Sequence, residues 1–146
     1  MKTQTSVLAL SVSLAGFAAP VLADQDPWAL LSSVSTQEVI DGDHYEVRKS
    51  FPEAMMAGIS DFAITGFAVP IGAGAQVSQV MLVSDMGNCP LCGSPDHGAS
   101  LVVELDQPIP SFEQGARLSL RGDLEAVTDP ETWQNAVLRR ARVVAN

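Results

Sequence analysis

Two cysteines and a histidine stand close together at Cys89, Cys92 and His97, in a stretch that reads Asn-Cys-Pro-Leu-Cys-Gly-Ser-Pro-Asp-His-Gly over residues 88–98. Thiolate and imidazole are good zinc ligands, and a Cys-x2-Cys spacing lets two sulfurs reach one ion across a tight turn. Pro90, Gly93, Pro95 and Gly98 keep the segment out of a helix or a central strand, so it reads as a loop. The run Cys-x2-Cys-x4-His follows the opening of a zinc knuckle, but Val102 occupies the position of the knuckle's last cysteine. The fourth place would then fall to Asp96, to Asp85, to His44 brought in by the fold, or to water. An open position suits metal transfer or catalysis better than a purely structural site. Copper is the metallic alternative, because Met86 lies three residues before Cys89 and soft sulfur ligands favour the cuprous ion.

The same cysteines have a reading without metal. In an oxidising compartment Cys89 and Cys92 would ordinarily pair as a disulfide. A bridge across Cys-x2-Cys closes so small a loop that it constrains little of the unfolded chain, which makes stabilisation alone a weak reason for it. Thioredoxin-like redox chemistry is disfavoured, since its cysteine pair opens a helix that lowers the thiol pKa, and Gly93 and Pro95 stop a helix here.

The N-terminus decides the compartment. Lys2 supplies a positive start, residues 7–17 an apolar core, and Ala-Pro-Val-Leu-Ala at 19–23 a small-residue cleavage site, together a secretory signal peptide over residues 1–23. The apolar core is too short to span a bilayer, and no later run approaches the ~20 apolar residues of a transmembrane helix. Residues 24–146 are therefore expected as a single exported domain with no membrane insertion after cleavage. Losing Lys2 leaves 7 of the 8 basic residues against 17 acidic ones, a formal charge of −10. Nucleic acid, whose phosphates would be repelled, is excluded as a partner.

Other residues offer less chemistry. His44 reads as a surface residue beside a turn, and Met55, Met56 and Met81 as gap-filling core. Trp28 and Trp133 read as core or lid aromatics, with stacking of a sugar or base in a barrel groove as the alternative. Arg139, Arg140 and Arg142 suit edge protection or ion pairing, with a small-anion or docking site as the alternative. No Gly-x-Ser-x-Gly elbow marks a nucleophile, and Gly66 and Gly72-Ala73-Gly74 lack the strand-loop-helix setting of a phosphate loop.

The elements that must position these residues begin with Asp26-Pro27-Trp28, a capping acid and a proline that open a short helix. Residues 32–37 are polar and turn-prone. Residues 38–40 and 44–48 read as strands joined by an Asp41-Gly42 turn. Ser50-Phe51-Pro52-Glu53 fits a capping box before a short helix that Gly58 closes. From Asp61 the pattern becomes strands: 61–69 with both faces apolar, 77–84, 99–105, 116–127 with a bend expected at Gly122, and 136–144. Turns or connections fall at 70–75, 108–115 and 129–131. The expected fold is mainly β: a small, partly open OB-like β-barrel with short N-terminal helical additions.

The segments Ile64-Thr65-Gly66-Phe67-Ala68-Val69-Pro70, Val80-Met81-Leu82-Val83, Gly87-Asn88-Cys89 and Gly115-Ala116-Arg117-Leu118-Ser119-Leu120-Arg121-Gly122, with the later Asp129-Pro130, carry a resemblance. Over positions 28–144 the chain resembles an uncharacterised family of exported bacterial OB-like proteins often encoded beside zinc-regulated transporter genes. Many relatives continue after Gly-x-Cys with a histidine and a proline run, whereas Cys92 and His97 stand here, so only Cys89 carries over as a ligand. The resemblance implies a periplasmic place near zinc homeostasis, with a membrane transporter or a periplasmic client as partner. No complete catalytic set is legible, and a metal-dependent hydrolase lacks a general base beside the ligands. The chain is accordingly expected to bind metal, zinc by its donor set, for storage or delivery, or else to serve as a disulfide-bridged OB-like interaction module without metal.

Overall fold

A computed structural model describes residues 26–86 and 99–145. The N-terminal helix α1, Pro27–Ser32, forms as its cap predicts: Asp26 accepts the Trp28 backbone N–H at 3.0 Å and proline occupies the first turn. Strands β1, Ser35–Asp41, and β2, His44–Ser50, make an antiparallel hairpin with Asp41 opposite His44. The tight turn is therefore Gly42-Asp43, with Gly42 at φ 60°, one residue later than the expected Asp41-Gly42. β1 also begins inside the polar stretch expected to turn, because Ser35, Thr36 and Gln37 each find a partner in Ser50, Lys49 and Arg48. A ribbon largely open to water tolerates polar strand residues.

Ser50 does not cap the next helix. It is still paired with Ser35, and Pro52 takes the N-cap position of α2, Glu53–Met56, without a side-chain bond. Gly58, at φ 74°, ends that helix as expected.

The remaining strands are β3 Ile59–Ile71, β4 Gln76–Val83, β5 Ser100–Pro110, β6 Ala116–Ala126 and β7 Ala136–Val143. They close in the order β3-β4-β5-β7-β6, with β6 returning to β3 and only β5 and β7 running parallel. This is an OB-like five-stranded barrel, closed where a partly open one was expected. Closure comes from the length of β3: residues 59–68 pair with β6, while residues 67–71 pair with β4. β5 also outruns its expected end, continuing through Pro108 and Pro110. Its pairing with β7 stops at Leu105, so beyond that point a proline's missing N–H can fall on an edge that no strand occupies.

Alternate residues fill the barrel, among them Ile64, Val80, Leu82, Leu101, Val103, Leu120, Leu124 and Leu138. Leu31 of α1 and Met55 of α2 join the same cluster, so the two short helices plug the barrel rather than decorate it. Gly66 makes room for this. A Cβ there would stand 2.7 Å from both Trp28 Cζ2 and the Val83 carbonyl oxygen. At Gly122 the expected irregularity is present as a shift in the β6–β7 register between Arg121 and Asp123. No helix among the described residues is long and apolar enough to cross a membrane.

Candidate functional site

The cysteine loop is inserted between two firmly paired strand ends. Val83 of β4 stands opposite Ser100 of β5, and the Ser84 N–H donates to the Ala99 carbonyl at 3.1 Å. Cys89, Cys92, Asp96 and His97 themselves lie outside the described residues, as does the proposed signal segment 1–23. Of the other candidate ligands, Asp85 is exposed just after β4. Met86 lies against the start of β6, where a Cβ on Gly115 would be 3.1 Å from its Cε. His44 is at the hairpin tip with 70% of its side chain exposed, and its Nε2 is 3.6 Å from Glu46. Among the described residues no three His, Cys, Asp or Glu side chains are grouped to hold a metal, so His44 and Asp85 do not build a separate centre there.

Beside the root of that loop lies a groove of about 740 Å³. Its floor is Met81 and Val102, cross-strand partners on the outer faces of β4 and β5. The last turn of α1 and Val34 form one wall, residues 133–135 of the β6–β7 connection with Ala136 of β7 the other, and Ala99 and Ser100 one end. Among the described residues that line it, no side chain is ionisable. Trp133 is 54% exposed, and its Nε1–H donates to the Tyr45 hydroxyl at 2.7 Å. It is not a core residue, and it lines the groove. The sequence hint was its place in a connection after Asp129-Pro130, away from any apolar period. Trp28, by contrast, packs against the core and donates its indole N–H to the Thr65 carbonyl at 2.8 Å.

The connection that carries Trp133 is held by the hairpin. Lys49 Nζ donates to the carbonyls of Val127 at 3.0 Å, Asp129 at 2.8 Å and Gln134 at 2.7 Å. Burial lowers the Lys49 pKa from its ordinary value, with the nearby Asp129 charge acting in the opposite direction. The Val47 N–H donates to the Pro130 carbonyl at 2.8 Å, and the Thr36 hydroxyl to Asn135 Oδ1 at 3.2 Å.

The arginines of β7 are engaged with acids. Arg139 donates to Glu125 at 2.8 Å and Glu104 at 2.5 Å, hydrogen bonds that raise its pKa further above the usual value. Arg140 bonds Asp123, and Arg142 joins Arg121 on Asp61. β7 lies between β5 and β6, so ion pairing rather than edge protection accounts for the cluster. Comparisons with models of protein families, with curated proteins and with solved structures find no match for the chain.

Proposed function

We propose that this chain is an exported, periplasmic metal-binding protein that uses Cys89, Cys92 and His97 to hold zinc, with copper as the alternative ion, for storage or for delivery to a transporter or client. The observation that carries the reading is the Cys-x2-Cys-x4-His run, set where β4 and β5 pair up to Val83 and Ser100. Two thiolates and one imidazole are a donor set that zinc accepts readily. Paired strand ends limit how far the two roots of the loop can separate, which lowers the entropy lost when the donors converge on one ion. The resemblance to OB-like proteins encoded beside zinc-regulated transporter genes supports the same reading.

Native mass spectrometry of the protein, isolated without added metal or chelator, tests it. The expected result is one zinc or copper ion on reduced protein, lost in Cys89→Ser. Stoichiometric metal retained by that variant would remove the site assignment. A metal-free mass short by two hydrogens would instead support the second reading, an OB-like interaction module with a Cys89–Cys92 bridge. The groove over β4 and β5 is the observation that favours that alternative.

A further inference from the structure

We infer that the groove over β4 and β5 binds a neutral polyhydroxylated ligand, a saccharide chain, that stacks on Trp133. The inference is independent of whether the cysteine loop holds metal.

The lining selects the class. In a chain with 17 acidic and 8 basic residues, none of the described residues lining this concavity is ionisable, so they offer nothing to neutralise a charged ligand. A single-stranded nucleic acid, the other common occupant of this face in OB barrels, needs a positive groove along its phosphates. The described lining residues supply no positive charge, and the formal charge of −9 repels it. A peptide added as an extra strand needs an open sheet edge. The groove floor has none at Met81 and Val102, since these strands pair with each other and with β3 and β7.

A saccharide needs what remains. One face of a sugar ring is mostly C–H and lies flat on an aromatic ring, while its edges carry hydroxyls that both donate and accept. Trp133 supplies the aromatic surface, already oriented because Tyr45 holds its N–H. Asn135 uses Oδ1 for Thr36, leaving its amide nitrogen to donate, and Ser32 and Ser100 add hydroxyls to the lining. The volume of about 740 Å³ falls in the usual range for small-ligand sites, roughly 300–1,000 Å³. Placement agrees as well: the outer face of the second and third barrel strands, flanked by the connection between the fourth and fifth, is where OB barrels take oligosaccharides.

The test titrates the full chain with cellohexaose, chitohexaose and maltohexaose, following tryptophan emission and heat. We expect at least one to give a saturable blue shift, insensitive to added salt because no charge is involved. Trp133→Ala should weaken that binding at least about tenfold, as loss of a stacking ring would. Ser100→Arg, at an exposed strand position, should also block it with the fold intact, and Cys89→Ser should leave it unchanged. The inference is overturned if none of the three sugars gives a saturable response at millimolar concentration, if Trp133→Ala and Ser100→Arg both bind like the parent, or if added salt abolishes binding.

Discussion

Replacing Lys49 with methionine keeps the aliphatic stem and removes the ammonium that three carbonyls share. The cost is set less by the lost charge than by the acceptors left behind. Burial already makes the ammonium less favourable in the fold than in water, as its lowered pKa shows, whereas an orphaned carbonyl loses a charged donor. The Asp129 bond is exposed, so water can replace it. The Val127 and Gln134 bonds are partly buried, and each orphan costs roughly 1–3 kcal/mol. Partial access of water puts the pair toward the lower end, so Lys49→Met should lose about 2–3 kcal/mol. Urea unfolding should show a lower midpoint with an unchanged slope, and Trp133 emission should change as Tyr45 loosens. The sign with pH follows from the same group. A lysine whose pKa is lower folded than unfolded is protonated more readily by the unfolded chain, so stability rises as pH climbs through the interval below the ordinary lysine value. That rise should be absent in Lys49→Met. A loss under about 0.5 kcal/mol, typical of an uninvolved surface change, would refute the clamp.

Two further substitutions probe the barrel. Gly66→Ala places a methyl group 2.7 Å from the Val83 carbonyl oxygen, which cannot swing aside as Trp28 can, and should cost about 1–3 kcal/mol in urea unfolding; parental stability would show that β3 and β4 separate freely. Asp61→Asn keeps a residue type that tolerates the observed φ of 57° but drops the charge facing Arg121 and Arg142. With 58% of the Asp61 side chain exposed, the loss should stay below about 1 kcal/mol and shrink as salt is added, and a salt-independent loss above that would mark the cluster as more than a surface network.

Strand identity was legible wherever apolar residues ran against turn residues, as from Phe62 to Val69 and from Leu118 to Leu124. Ends were less so, because they depend on partners distant in sequence. Nothing local in Pro108-Ile109-Pro110 announces that β7 has already turned away, and nothing in Ser50 reveals that Ser35 will claim it. Closure was hidden for the same reason, since it rests on one strand serving two neighbours. The cysteine loop stands out by residue type alone. The groove does not, being assembled from α1, β4, β5 and a connection, and its aromatic was legible only as a tryptophan without a period.

The double duty of β3 also bears on how the chain folds. Its seam with β6 joins Ile59 to Leu124, with β4 and β5 lying between them in the sequence. Such non-local pairing demands loop-closure entropy before any contact rewards it, which slows folding. Until β6 arrives, the meander of β3, β4 and β5 has two unsatisfied edges and an apolar inner face, the condition in which strands pair with other chains. The seam and the later insertion of β7 between β5 and β6 together convert a sticky intermediate into an edgeless barrel. Chains interrupted before Ala136 would be left on the aggregating side of closure.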